Sequence, residues 1–317
     1  MNSNIGKLEN FYFIPSNSIQ RENIMWQISR IPFVKNYRPL VMAHRGDSAN
    51  VPENTLASFE DAYKLNVDCI ESDTHLTKDG QFVLFHDDKL DRTTDGTGLI
   101  ADYTVEELKK LDTGFHFSGT PDNPHPFRGK GYHIHTIDEI LPTFPDVRFN
   151  LDIKSKNPKA PELLAKKLAD LEVEERVMVG SFHQGQIRLF RKNSKIPTGA
   201  GSREVLSFWR KSKSWIRKHP EIIQNNNPVN PDDIDRNQKE VFGKLLPYYA
   251  LQIPEGYLFL KIVKPEFIIF AHHMGIAVHI WTINDAKDMR RLLQWGVDGI
   301  FTDHPKILLE VVGSINK

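Results

Sequence analysis

The sequence predicts an α/β chain closed into a single (β/α)8 TIM barrel, with a small inserted cap and a helical insertion. Three observations lead there. From residue 39 onward short β-rich runs recur, mostly separated by segments of helical period, which is the alternation of a parallel α/β architecture. Eight such runs can be counted. Side chains able to do chemistry stand at the carboxyl ends of most of them, where a barrel displays its functional groups.

The runs are LVMAHR (40 to 45), CIESD (69 to 73), FNLDI (149 to 153), VMVGS (177 to 181), PTGAG (197 to 201), YALQI (249 to 253), AVHIWT (277 to 282) and GIFTD (299 to 303); PTGAG is the least strand-like. Between the first two, Leu56, Phe59, Ala62, Tyr63 and Leu65 follow helical spacing behind an early Pro52 and Glu53, as in a barrel crossover helix. The run QFVLFHD cannot be a parallel neighbour of CIESD. Only THLTKDG separates the two, and a parallel return needs about a dozen residues or more. Lys78, Asp79 and Gly80 supply a hairpin turn instead. The chain is therefore expected to rise through Glu71 and Asp73, overshoot the barrel rim, and fold back to deliver His86 to that rim.

Two stretches exceed simple connections. Residues 113 to 135 are rich in His, Pro and Gly, and a longer stretch spans about 203 to 247. The second opens with the amphipathic basic segment EVLSFWRKSKSWIRKHP and continues through QNNNPVNPDDID, expected to be an exposed loop. Ahead of the barrel (39 to 317), residues 1 to 38 carry NFYFIP and IMWQISRIPF, apolar and aromatic enough for an extension that packs on the barrel or on a partner subunit. No internal repeat is evident.

One barrel with insertions accommodates 317 residues. The 39% apolar and 26% charged composition is that of a folded globular chain. Lys plus Arg (41) balance Asp plus Glu (41), so no general field favours nucleic acid. A single cysteine, Cys69, excludes an intrachain disulfide and thiolate metal binding. No run approaches the roughly 20 apolar residues of a membrane span, and the start lacks a basic region followed by an apolar one. The expectation is a cytoplasmic chain without a signal peptide.

By the strand-end rule His44 and Arg45, Glu71 and Asp73, Asp152 and Lys154, Ser181, Gln252, Trp281 and Asp303 all approach one face. Glu71, Asp73 and Asp152 offer hard oxygen ligands, suited to Mg²⁺ or Ca²⁺ rather than zinc. Two histidines facing such an ion supply a proton acceptor and a proton donor near neutral pH, and Arg45 with Lys154 would hold an anionic group. Phosphoryl transfer fits that set. Alone, a strand-end histidine or a Glu-x-Asp pair is more often structural; it is their coincidence that argues for chemistry. Trp281 can fill the core or pack against a substrate's carbon face. His116, His125, His133 and His135 show no helical H-x-x-x-H spacing and suit loop packing. His272 and His273 fall in the expected helix PEFIIFAHHMG, and Cys69 suits a small buried hydrophobe.

In this order and spacing the motifs HRG, PENT, ESD, TKDG and HD, followed by LDRTTDGTG and later by LDIK, GSF, WTIND and GVDGIFTDHP, resemble the glycerophosphodiester phosphodiesterase family over roughly residues 39 to 312. The resemblance implies a barrel that hydrolyses glycerophosphodiesters to glycerol 3-phosphate and an alcohol. It implies His44 and His86 as the acid-base pair, without fixing which is which, and a divalent cation, Mg²⁺ or Ca²⁺, on Glu71, Asp73 and Asp152; we read His44 as the base and His86 as the acid. Arg45 and Lys154 would neutralise the phosphate, and the attacking hydroxyl would come from glycerol or water. The family usually has Glu where this chain has Asp152, whose shorter reach would admit a water ligand or alter metal preference. The family's small cap lies between the His-Asp motif and the third-ligand strand, matching 113 to 135.

Two alternatives stay open. A lysophospholipase D activity would use the same site on a substrate retaining one acyl chain, with the basic segment 203 to 220 lying on an anionic membrane as a peripheral contact. Against this, the segment reads more readily as an ordinary barrel helix burying Val205, Leu206, Trp209 and Ile216. A barrel that binds a phosphodiester headgroup without cleaving it is a different class, and the survival of both histidines and three acids speaks against it. Metal-free phosphoinositide-cleaving barrels place an arginine where the cation would sit, and the acidic triad argues against them. The expected partner is a small-molecule glycerophosphodiester; the oligomeric state is open.

Overall fold

The computed structural model describes residue 33 and residues 38–225, 230–257 and 260–315. Parallel strands form a nearly closed barrel in the order β5 (Val177–Gly180), β4 (Arg148–Ile153), β2 (Cys69–Leu76), β1 (Leu40–His44), β8 (Gly299–Thr302), β7 (Ala277–Trp281) and β6 (Ala250–Pro254). The remaining gap, between β5 and β6, is spanned by two single bridges, Val179 to Thr198 and Gly199 to Ala250. The expected strand at 197 to 201 is thus reduced to two bridges. Pro197 has no N–H to donate, and Gly199, Ala200 and Gly201 bring little side chain to pack on a sheet.

The hairpin forms as expected. β2 is eight residues long, and β3 (Phe82–Leu84) pairs with it antiparallel through Thr74 to Leu84, His75 to Val83 and Leu76 to Phe82. The turn closes with Thr77 N donating to Gln81 O, and Gly80 sits at φ +77°. The crossover helix runs Leu56–Lys64 and buries Phe59 and Ala62. Its cap is Thr55, in a capping box with Ser58. Pro52 and Glu53 lie outside the helix, which leaves the Glu53 side chain available to the site.

Strand alternation sorts the side chains. Val41, Ala43, Ile70, Leu151, Val179, Leu251, Val278 and Ile300 belong to the large apolar cluster shared with the helices. Leu40, Met42, Cys69, Met178, Ala250, Ala277 and Phe301 pack together with Phe33 in a separate cluster. Two residues further along the same face come His44, Glu71, Gly180, Gln252, His279 and Asp303, and two beyond those Asp73 and Trp281. One period-2 rule therefore places apolar residues on the inward face at one end of the barrel and reactive ones at the other. Phe33 is the one described residue of the leader ahead of Arg38. The rest of the expected packing by 1 to 37 lies outside the described residues.

Segment 113 to 135 holds no helix, and its only bridge among the described residues joins Thr120 to Asn123. Phe117, Phe127 and Tyr132 pack edge to face there, with centroids 4.9 and 5.2 Å apart. The second insertion is helical: Ser202–Lys218, Pro220–Asn225 and Ile234–Phe242. The expected loop QNNNPVNPDDID is shorter than its polarity suggests. Residues 226–229 lie outside the described set, but Pro231–Asp233 forms a 3-10 turn capped by Asn230, and a helix begins at Ile234. Among the described residues no helix is long and apolar enough to cross a membrane.

Candidate active site

The site begins with the turn after β1. Arg45 and Gly46 both lie at positive φ, +57° and +86°. A Cβ on Gly46 would stand 2.6 Å from the Ser58 backbone carbon, so only glycine fits this approach of the turn to the crossover helix. Ser58 Oγ and Asn54 N both donate to Arg45 O, and Arg45 N donates to Glu71 O at 3.0 Å. These bonds hold a non-glycine residue in a left-handed conformation, and that conformation aims the guanidinium at the acids.

The eight residues given a role from the sequence, His44, Arg45, Glu71, Asp73, His86, Asp152, Lys154 and Trp281, line one cavity of about 590 Å³, and Asp303 is not among its lining residues. Sheet register explains the convergence: His44 is level with Glu71, and Asp73 is level with Asp152. Ser181 and Gln252 line it as well. His116, His125, His133, His135, His272 and His273 are not among its lining residues.

Each histidine is oriented by a carboxylate. His44 Nδ1 lies 2.6 Å from Asp303 Oδ1, and Asp303 is itself held by Ser48 Oγ at 3.0 Å and Asn284 Nδ2 at 2.6 Å. His86 Nδ1 lies 2.5 Å from Asp87 Oδ1. With Nδ1–H directed at a carboxylate, Nε2 is left to exchange a proton with a ligand. From the sequence Asp303 is a strand-end residue and Asp87 a member of the HD motif, with no partner indicated for either. The missed signal was parity, since Asp303 lies two residues past the inward Phe301.

The acids are held among cations. Lys154 Nζ is 3.1 Å from Asp73 Oδ1 and 2.7 Å from Asp152 Oδ2, and Arg45 Nε is 3.3 Å from Asp73 Oδ2. Burial raises the Asp73 carboxyl, but Lys154 and Arg45 outweigh it and hold the group below its ordinary range. Burial and the neighbouring Asp73 charge push Glu71 up to about 7. Burial likewise raises Asp152, against the pull of Lys154.

Among the described residues no three His, Cys, Asp or Glu side chains stand close enough to form a finished cation cage. Lys154 lies between two of the three acids. The donor set nevertheless fits a hard divalent ion. Three carboxylates line one cavity, Asp152 Oδ2 is buried outside hydrogen-bond geometry despite the nearby ammonium, and burial and the Asp73 charge disfavour Glu71 as an anion although His44, Arg45 and Lys154 stand near it.

Beyond the polar floor the wall turns apolar. Val205, Leu206 and Trp209 of helix Ser202–Lys218 line it together with Ile253, Pro254 and Ile262. The ring of Phe182 meets Trp281 edge to face at 5.4 Å, and Lys154 Nζ lies 5.0 Å from the Phe182 centroid.

Residues 44–307 match the model of the glycerophosphoryl diester phosphodiesterase family. A glycerophosphodiester phosphodiesterase of Caldanaerobacter subterraneus subsp. tengcongensis is 32% identical over 87% of this chain and 98% of its own length. The human lysophospholipase D GDPD1 is 26% identical over 83% of each chain. Among solved structures, an Oleispira antarctica phosphodiesterase in complex with the product sn-glycerol-3-phosphate superposes with a TM-score of 0.64. It covers 88% of this chain and 99% of its own, at 23% identity, and supports the barrel fold. A family match that starts at His44 and takes in all of the acids, cations and imidazoles gathered in the cavity settles the kinship: the chain belongs to the glycerophosphoryl diester phosphodiesterase family, and is a phosphoric diester hydrolase.

Proposed function

We propose that the chain hydrolyses glycerophosphodiesters to glycerol 3-phosphate and an alcohol, with His44 and His86 exchanging protons and a divalent ion, Mg²⁺ or Ca²⁺, held by Glu71, Asp73 and Asp152. The observation that carries this reading is one cavity in which two carboxylate-oriented imidazoles, three acids and two cations converge. The family is in general dependent on a divalent metal. When bound, such an ion polarises the phosphate and lowers the pKa of a coordinated hydroxyl.

The residues of the chain do the rest. Arg45 and Lys154 meet the phosphate oxygens and stabilise the extra charge of the five-coordinate state. His44 Nε2, with Nδ1 tied to Asp303, takes the proton of the attacking hydroxyl. His86 gives a proton to the leaving oxygen; at 33% side-chain exposure against 18% for His44 it is the more open of the two rings. Trp281 and Phe182 offer apolar faces to the carbon skeleton. Release of glycerol 3-phosphate from glycerophosphocholine, assayed with Mg²⁺, Ca²⁺ or chelator, tests the reading.

A second substrate has one observation in its favour. The wall formed by Val205, Leu206, Trp209, Ile253, Pro254 and Ile262 is the kind of surface a single acyl chain would cover, continuous with the phosphate end. About 590 Å³ lies within the range of drug-sized ligand pockets. This places Val205, Leu206 and Trp209 at the cavity, while Phe208 of the same helix is buried in the core. Lysophosphatidylcholine turnover by wild type and Trp209→Ser is the matching test.

A further inference from the structure

We propose that Arg92 is a positioning residue for both halves of the site, because its guanidinium ties the carboxylate that orients His86 to the carboxylate that holds Arg45. This rests on the roles given to His86 and Arg45 above. Arg92 ends the short 3-10 turn Leu90–Arg92 that follows the His-Asp pair. On one side its Nε donates to Asp87 Oδ2 at 2.6 Å, and its Nη2 to Asp87 Oδ1 at 3.3 Å. On the other, Nη1 donates to Glu53 Oε2 at 2.9 Å and Nη2 to Glu53 Oε1 at 2.6 Å. Asp87 Oδ1 is also the partner of His86 Nδ1, and Glu53 Oε1 accepts from Arg45 Nη1 at 3.0 Å.

The chain of contacts therefore runs His86, Asp87, Arg92, Glu53, Arg45. It links the loop that overshoots the rim to the turn after β1, and a flat fork with three nitrogens in use is what lets one side chain hold both carboxylates. A half-exposed arginine in an ordinary surface ion pair contributes little. Here both partners are less exposed than Arg92, at 21% and 27% against 47%, and each has a site residue as its other partner. Without the fork Asp87 is free to rotate away from His86 Nδ1, and Glu53 loses the bond that fixes it under Arg45. A lysine keeps the charge but offers one nitrogen in place of the three coplanar ones that Arg92 uses on Asp87 and Glu53.

Steady-state kinetics on glycerophosphocholine, with the cation that supports turnover, test this on Arg92→Gln, Arg92→Lys, Asp87→Asn, Glu53→Gln and the Arg92→Gln/Asp87→Asn pair, each with a melting curve. Arg92→Gln is expected to lower kcat/KM about 10- to 100-fold, the usual cost of losing such a supporting partner. Its kcat loss should match that of Asp87→Asn and its KM rise that of Glu53→Gln. Adding Arg92→Gln to Asp87→Asn should lower kcat no further, and Arg92→Lys, which also serves if the glutamine variant does not fold, should not restore activity. Kinetic constants within twofold of wild type for Arg92→Gln, losses that multiply in the double variant, or full activity in Arg92→Lys would overturn the proposal. His86→Ala separates the two ideas: if it turns over normally the role of His86 has failed, whereas an inactive His86→Ala beside a fully active Arg92→Gln sinks only the brace.

Discussion

His44 Nδ1 and Asp303 Oδ1 meet at 2.6 Å across 259 positions of sequence, joining the first barrel strand to the end of the last. The carboxylate fixes which imidazole nitrogen carries the proton. The His44 contact, after the burial that opposes it, also draws Asp303 down to about 2. Asp303→Asn should leave the fold intact and lower kcat by about 10²-fold or more, within the range that positioned proton transfer contributes. Stopped assays of glycerol 3-phosphate release, with circular dichroism as a check on folding, measure it.

Glu71 is expected to matter to the cation more than to the fold. Burial and Asp73 already disfavour its charge, so Glu71→Gln removes the proposed ligand at little cost to stability. The variant should need about 10-fold or more metal for half-maximal activity, the scale on which altered metal sites lose affinity. A titration of activity against Mg²⁺ or Ca²⁺ reads this directly.

Gly46 tests the turn that aims Arg45. A Cβ there meets Ser58 Oγ at 2.5 Å and the Ser58 backbone carbon at 2.6 Å, at φ +86°. Gly46→Ala should therefore cost about 2 kcal/mol or more of stability, measured by urea unfolding, and should reduce turnover through displaced Arg45. Ala substitution at Gly129 or Gly131, also at positive φ but with open space around the added carbon, should cost less.

The barrel was legible because its signals are local. Seven of the eight expected runs became strands, and the hairpin after Glu71 and Asp73 followed from the shortness of THLTKDG and its Lys78-Asp79-Gly80 turn. Residues on one inward face can be read once strand register is known, which is why Asp303 stood in view without its partner. Contacts that depend on side-chain reach were not legible. Nothing in the sequence shows that Lys154 sits between Asp73 and Asp152, or that Arg92 grips both Glu53 and Asp87. The run PTGAG also misled, because it occupies a strand's place with residues that cannot form a full ladder.

Stability should fall on mild acidification for a reason visible in the core. Burial holds His279 down at about 4 from an ordinary 6.5, and neither ring nitrogen has a hydrogen-bond partner among the described residues. Between those values the unfolded chain binds a proton that the folded chain refuses, so this contribution is intact above pH 6.5 and is lost progressively as pH falls towards 4. Denaturation curves at pH 7 and pH 4.5 should differ by on the order of a few kcal/mol from this group. His279→Leu should flatten the difference while keeping or raising stability at pH 7; an equally steep decline in the variant would assign the effect elsewhere.

The most direct measurement is glycerol 3-phosphate release from glycerophosphocholine by wild type, His44→Ala and His86→Ala, each exhaustively chelated and then supplied with Mg²⁺ or Ca²⁺. Wild type should be silent after chelation and recover on adding an ion, while neither alanine variant recovers more than about one part in 10² to 10⁴ of the activity. Undiminished turnover in the chelated wild type, or in both alanine variants, would contradict the shared cation-and-imidazole site.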